Sequence, residues 1–296
     1  MILSQTTDCV SKFGDIKAIE MLGKAGFDAI DFNMLSLNNA SSLLTTPNYK
    51  AYIDTLCKCA EKNNIIFNQA HGLTGVNHPD ATTAYNLLVQ RNIRALEIAS
   101  IMGIKAMIVH PLDTVNYIGN EALCFEKNIN YFRALLPFAE KYGVKLACEN
   151  MWYYDKKRGV RTGSVCSNPF EHAYYVDEMN SEMFVACLDV GHTSIAGREP
   201  QDSIRVLGNR LQAVHIHDND YLDDMHTLPG LSELNWTEIM KALADVDYSG
   251  DFTFETEHFF DSLESEEEVQ TGLKLAELIG RKLIRQFENF KKQAQV

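Results

Sequence analysis

Basic residues are scarce in this 296-residue chain. Its 27 Lys and Arg stand against 40 Asp and Glu, a formal charge of −13 with the nine His neutral. That balance argues against a general binder of nucleic acid or of anionic membranes, both of which need a cationic surface. It leaves room only for a local basic groove. Proline and glycine are also few, at 7 and 17, which excludes a fibrous or disordered chain. No apolar run approaches the roughly 20 residues of a membrane helix. The N-terminus, MILSQTTDCV, has neither a basic segment nor a long apolar one. A cytoplasmic protein with no membrane partner is the expectation. Of the seven Cys, Cys57 and Cys59 are two apart rather than in a C-x-x-C, and Cys148 and Cys187 lie inside apolar runs. They read as small buried hydrophobes in a reducing compartment, without the spacing of a zinc–cysteine site. No G-x-G-x-x-G follows the first strand candidate, which argues against a dinucleotide-binding sheet.

What is present is alternation. Short apolar runs at 2–7, 28–34, 65–71, 106–112, 145–151, 184–190, 211–217 and 251–257 read as strands. Amphipathic stretches near 15–25, 48–62, 80–101, 121–142, 168–180, 200–207, 236–245 and 265–290 read as helices. The clearest carries Leu88, Ile93, Leu96, Ile98 and Ile101 on or near one face. Gly26, Gly103 and Gly143 each follow a helical pattern and precede a strand, as helix-ending glycines do. Eight β-then-α units in about 290 residues predict a single-domain (β/α)8 TIM barrel over 1–296. The longest irregular stretches, 152–167 and 218–235, each follow a strand's C-terminal end, where barrel enzymes build their sites.

Polar residues recur at those same ends. His71 ends the third strand candidate and His110 the fourth. Glu149 follows KLAC on the fifth. Asp189 follows FVACL on the sixth, with His192 just beyond. His215 and His217 end the seventh, and Glu255 follows DFTF on the eighth. In a closed parallel barrel these ends converge on one mouth. Burying so many carboxylates and imidazoles is costly unless a cation or substrate offsets their charge. Glu149, Asp189, His215 and Glu255 form a mostly hard, oxygen-rich set suited to one divalent ion, Mn, Mg or Co, and tolerant of Zn. Two alternatives stay open on the residues. Glu257 shares a strand face with Glu255, and His217 shares one with His215, so either member of each pair is a candidate ligand.

These motifs resemble the xylose-isomerase-like TIM-barrel superfamily of sugar (phosphate) isomerases and epimerases, which also includes endonuclease IV. The resemblance runs along nearly the whole chain. It rests on ACEN with Glu149, LDVGH with Asp189 and His192, VHIHDND with His215, and FTFETE with Glu255. The intervals between Glu149, Asp189, His215 and Glu255 are 40, 26 and 40 residues. Asp224, His226, Pro229 and Gly230 form a D-x-H-x-x-P-G segment followed by Trp236. The resemblance implies that Glu149 and Glu255 are metal ligands doubling as acid/base groups on opposite sides of a sugar. It implies that Asp189 and His215 complete the metal shell and that His192 binds substrate. It favours Glu255 over Glu257, and the H-x-x-D frame with Asp218 favours His215 over His217. His71, His110, His217, Trp152, Asp224 and His226 are expected around the substrate. Trp152 and Phe259 are candidates for an apolar wall over the sugar. A homo-oligomer is implied by resemblance alone.

The implied reaction is proton transfer by the two carboxylates through a metal-stabilised enediolate, giving epimerisation or aldose–ketose isomerisation. A keto-polyol dehydratase is the alternative within the superfamily. A zinc-dependent abasic-site endonuclease is the sharper rival. His71, His110, Glu149, Asp189, His192, His215, Asp224, His226 and Glu255 match the three-zinc pattern of endonuclease IV in order. The acidic charge, the sparse loop Arg and Lys and the Pro229-Gly230 loop favour the sugar enzyme. A non-catalytic scaffold leaves the converging carboxylates unexplained. The one basic cluster, Lys156, Lys157, Arg158 and Arg161, is either a solvated loop or a phosphate contact. No glycine-rich phosphate nest accompanies it, so an unphosphorylated sugar is expected.

Overall fold

The computed structural model describes residues 1–113 and 116–294. Eight parallel strands close in chain order: β1 Leu3–Thr6, β2 Ala29–Asn33, β3 Ile66–His71, β4 Ala106–Val109, β5 Lys145–Glu149, β6 Phe184–Asp189, β7 Leu211–Ile216 and β8 Phe252–Phe254. The last is hydrogen-bonded back to β1. The expected (β/α)8 barrel is therefore the fold. The eight expected helices are also present, five of them at Asp15–Ala25, Ala81–Ile101, Glu121–Tyr142, Pro200–Leu207 and Trp236–Asp245. Gly26, Gly103 and Gly143 have φ of 103°, 78° and 67°, a left-handed conformation that glycine adopts without strain at a helix end. The last helix, Glu266–Ala294, opens on a reciprocal cap. Glu268 N donates to Ser265 Oγ at 3.2 Å, and Ser265 N donates back to Glu268 Oε2 at 2.8 Å. Arg281 on that helix donates to both Asp28 carboxylate oxygens, at 2.6 and 2.8 Å, and so clasps the loop entering β2.

Strand alternation decides what faces the lumen. Ile108, Ala147, Val185, Cys187 and Ala213 form a small cluster separate from the main core. Their neighbours Met107, Val109, Leu146, Cys148, Ala186, Leu188, Val214 and Ile216 join the large core against the helices. Glu149, Asp189 and His215 share the parity of the small set, so all three project into the barrel above a floor of small apolar side chains. Register pairs Asp189 opposite His215 across β6 and β7, and Glu149 opposite Cys187 across β5 and β6.

Three expectations are corrected. The stretch 152–167 is not irregular: Trp152–Asp155 pairs antiparallel with Val160–Gly163. Asp155 Oδ1 accepts from the backbone N–H groups of Lys157 and Arg158 and shapes that hairpin's turn. A helix, Val190–Ile195, follows β6 directly. Finally, β8 ends at Phe254, and Glu257 starts a helical turn, Glu257–Phe260. Glu255 and Glu257 therefore do not share a strand face.

Candidate metal centre

Glu149 and Asp189 are the last residues of β5 and β6, His215 is one from the end of β7, and Glu255 follows β8. One donor atom from each of these four lies within 4.8 Å of the others. His215 Nδ1 is 2.9 Å from Glu149 Oε1 and 3.1 Å from Glu255 Oε2. Its other nitrogen lies 3.2 Å from Asp31 Oδ2 and 3.1 Å from Gln69 Nε2, and Gln69 donates to the same Asp31 oxygen at 2.7 Å. An outer carboxylate of this kind orients a ligand imidazole. Burial opposes ionisation of Glu149, but His215 and His110 outweigh it and hold its carboxyl well below the usual range. Asp189 is likewise lowered, to about 2, by His192 and His217 acting against burial.

Further donor groups adjoin this one, and two of them widen the site. His71, His110 and Glu149 form the first, and His192, His217, Asp224 and His226 the second. His110 Nε2 lies 3.1 Å from His71 Nε2 and 2.9 Å from Glu149 Oε2. His217 Nε2 lies 3.0 Å from Asp189 Oδ1, not in the central set, and its ring stacks 3.9 Å from that of His226. The fold thus separates the paired candidates. His215 faces both glutamates and His217 faces Asp189. Glu255 approaches His215, whereas Glu257 lies 3.2 Å from His226.

The histidines are prepared in a common way. Nδ1 of His71, His192 and His226 lies 3.0, 2.9 and 3.0 Å from the carbonyl oxygens of Gly72, Asn150 and Glu255. A carbonyl only accepts, so each Nδ1 carries the proton and donates, leaving Nε2 for the mouth. Burial disfavours the charged imidazole of His192, yet Asp189 and Asp224 push its pKa up to about 10. Without a metal, protons on imidazoles balance the crowded carboxylates. A divalent ion serves the same electrostatic need. Glu149 Oε2, Asp224 Oδ1 and His217 Nδ1 are buried without a well-directed hydrogen-bond partner. Unsatisfied lone pairs beside hard oxygens and imidazoles fit a divalent cation.

The surrounding loops are held by polar contacts. Asp218, just past β7, accepts from the backbone N–H of Gly230 at 2.7 Å and of Leu234 at 3.0 Å, and from Trp236 Nε1 at 2.9 Å. This folds 218–235 back so that Asp224 and His226 reach the mouth. Trp152 Nε1 donates to Asp224 Oδ2 at 2.9 Å, its ring lies edge-on to His192, and it lines the mouth cavity. Phe259 is not among the residues lining that cavity: it packs edge-on against Phe260 and lies against Gly272. The basic cluster lies outside the lining of the mouth. Arg161 pairs with Asp223 and sits over the Trp152 ring. Lys156, Lys157 and Arg158 stay on the exposed hairpin turn.

The mouth cavity holds about 330 Å³, and among the described residues lining it none is Lys or Arg. A larger hollow of 650 Å³ lies at the other end of the barrel beside the Asp177–Arg210 pair. It is far from the carboxylates and at the end where barrels do not place chemistry. Sequence reasoning missed Asp31 and Gln69, and also Asp8 and Asn33, which line the mouth. A charge inside the apolar run DAIDFNM was the available signal for Asp31.

Burial is the main cause that raises the Asp8 pKa, to about 6, against the opposing effects of His71 and of a hydrogen bond from Asn33 Nδ2. A raised folded-state value means that ionisation costs the fold stability. The cost is absent below about pH 4, grows as pH rises, and is complete above about pH 6. In chelator-treated protein, Asp8→Asn is expected to raise Tm at pH 8 and to leave it unchanged at pH 4. Equal effects at both pH values would contradict this.

A parallel barrel with carboxylates and imidazoles gathered at its C-terminal mouth defines the class: a barrel with donor groups that could hold a divalent ion, at the end where such barrels place their sites. The chain belongs to the xylose isomerase-like TIM barrel family, which it matches over residues 19–278. Uncharacterised proteins of Methanocaldococcus jannaschii and Sinorhizobium fredii are 25% and 26% identical over 187 and 164 residues, 61% and 54% of this chain. The matches span only 60% and 50% of those relatives' lengths. The D-psicose 3-epimerase of Enterocloster bolteae is 25% identical over 249 residues, 80% of this chain and 75% of that protein. Among solved structures, a D-psicose 3-epimerase in the presence of D-fructose superposes with a TM-score of 0.74 at 19% identity, over 96% of this chain and 99% of that one. The IolI protein, solved with a zinc atom, gives 0.73 at 20% over 96% and 99%.

Proposed function

We propose that the protein is a divalent-metal-dependent sugar epimerase or isomerase acting on a small, unphosphorylated ketose or aldose. One observation carries this reading. Glu149, at the end of β5, and Glu255, just past β8, meet at a single nitrogen of His215, and Asp189 lies beside them. Glu149, Asp189, His215 and Glu255 would hold the ion, which when bound supplies Lewis acidity to adjacent oxygens of the sugar. Glu149 and Glu255 reach the substrate from two sides. One takes a carbon-bound proton, and either the other returns one to the opposite face or the first returns it to the neighbouring carbon. His192, with Nδ1 held by the Asn150 carbonyl, presents Nε2 to a hydroxyl. Trp152 covers the less polar face and excludes water. The absence of Lys and Arg from the described lining of the cavity supports an uncharged substrate over a phosphate ester, and the 3-epimerase relatives support a ketohexose.

The test is a ketohexose and aldohexose panel in D₂O, followed by NMR. Interconversion with deuterium at the reacting carbon is expected, and product formed without solvent deuterium over many turnovers would sink the proton-transfer reading. Loss of a hydroxyl as water would indicate the dehydratase.

A second reading has its own observation, since the three adjoining donor groups are those that an abasic-site endonuclease would fill with three zincs. The −13 charge and the lack of cationic residues at the mouth weigh against it. Dialysed protein is expected to retain about one divalent ion at the mouth, with turnover lost on chelation and no cleavage of an abasic duplex at physiological salt. Three tightly held zincs bound through His71, His110 and His226, together with such cleavage, would replace the sugar reading.

A further inference from the structure

Outside the mouth, one buried cluster has ligand chemistry that the sugar reaction does not use. Cys148 precedes Glu149 on β5, and alternation turns its side chain out of the lumen and into the main core. There it meets Cys166, from the loop after the hairpin, with the two sulfurs 3.7 Å apart. It also meets His172, from the helix Pro169–Met179. One donor atom of each lies within 4.8 Å of the other two, and all three residues are at most 1% exposed. We infer that Cys148, Cys166 and His172 form a structural site for a thiophilic divalent ion of the zinc class, distinct from the ion at the mouth.

The separation of the sulfurs is the first support. Two thiolates each about 2.3 Å from a tetrahedral zinc sit about 3.8 Å apart. A disulfide would bring them to about 2.05 Å. The histidine is the second. His172 Nε2 donates to the Cys148 carbonyl oxygen at 2.9 Å. This fixes the proton on Nε2 and leaves Nδ1 as a bare lone pair, buried with no hydrogen-bond partner. It is the preparation seen in the mouth histidines, with the two nitrogens exchanged. The hydroxyl of Tyr175, within electrostatic reach of both sulfurs, is also buried without a partner. A simple thiol pair, with one S–H donating to the other sulfur, leaves the Tyr175 hydroxyl without a partner. Charge is the third support. When the ion binds, two S–H bonds break, two protons leave to solvent and two metal–sulfur bonds form. Two thiolates then neutralise the divalent ion, and a neutral complex suits an apolar surround. A hard ion such as Mg would prefer the oxygens of the mouth. The site would tie the end of β5, next to Glu149, to the chain that returns from the hairpin over the mouth.

Sulfur ligation has a signature that the oxygen and nitrogen ligands of the mouth cannot give. Metal-depleted full-length protein titrated with Co(II) is expected to develop a near-ultraviolet sulfur-to-cobalt charge-transfer band that saturates at one equivalent per chain. Cys148→Ala and Cys166→Ala should each lose the band while keeping the visible absorption of cobalt at the mouth and a native circular dichroism spectrum. Should those variants not fold, X-ray absorption on zinc-loaded wild type decides, with sulfur scatterers at about 2.3 Å expected. No charge-transfer band with the mouth filled overturns the site. So does a band unchanged in both variants, a zinc spectrum without sulfur, or a Cys148–Cys166 disulfide in the protein as purified.

Discussion

Replacing either glutamate by glutamine is expected to lower turnover by about 10²–10⁴-fold, the range for loss of a general base, while the barrel stays folded. Glutamine keeps the size and one ligating oxygen but cannot accept the proton. The two positions should differ in metal retention. Glu149 is 1% exposed and belongs to two of the donor groups, with His215 at one oxygen and His110 at the other. Glu149→Gln places an amide NH₂ among those imidazoles and should weaken the metal as well as the chemistry. Glu255 also belongs to two donor groups but is held more loosely: it is 8% exposed, with His215 at 3.1 Å from one oxygen and His71 only at 4.0 Å from the other. Glu255→Gln should therefore keep most of its metal and lose mainly kcat. Metal analysis beside steady-state kinetics on the two variants separates these effects. A Glu255→Gln enzyme with wild-type kcat would remove Glu255 from the proton-transfer role.

Gly191→Ala should cost both stability and activity, although the substitution adds a single methyl group. Gly191 is the second residue of the helix Val190–Ile195 after β6 and is not among the positive-φ residues, so left-handed backbone strain plays no part. The space is already occupied: an added Cβ would lie 1.9 Å from His217 Cε1 and 2.4 Å from its Nε2. His217 cannot yield easily, because its ring is fully buried, stacked on His226 and held 3.0 Å from Asp189. Overpacking of this kind costs about 1–3 kcal/mol, and Tm should fall by about 2–4 °C for each kcal/mol. Displacing His217 also releases Asp189 from its contact, so a fall in kcat/KM of at least ~10-fold, about 1.4 kcal/mol in the barrier, is expected. Gly75→Ala is the control, since an added Cβ there meets nothing within 4 Å, and it should be silent in both measurements. A Gly191→Ala protein with unchanged Tm and kinetics would show that the His217 ring is free to move.

What was legible in the residues alone was local or ordered along the chain. The periods of 2 and 3.6 marked eight strands and eight helices, because alternation of burial along one element is written in that element's own residues. The order and spacing of Glu149, Asp189, His215 and Glu255 pointed to the mouth, because a parallel barrel brings every strand's C-terminal end to the same face. Contacts made by barrel closure carried no such pattern. Asp31 stands behind His215 across 184 residues of chain, and nothing in DAIDFNM tells which imidazole it will support. That His215 rather than His217 meets both glutamates is set by barrel closure. That Glu255 approaches His215 while Glu257 lies at His226 follows from the end of β8 at Phe254. The hairpin at Trp152–Gly163 is short, polar and charged, so its pairing left little hydrophobic signal. Cys148, Cys166 and His172 come from a strand, a loop and a helix, and their spacing resembles no ligand motif. Only tertiary packing, which turns Cys148 outward as Glu149 turns inward, brings the three donors together.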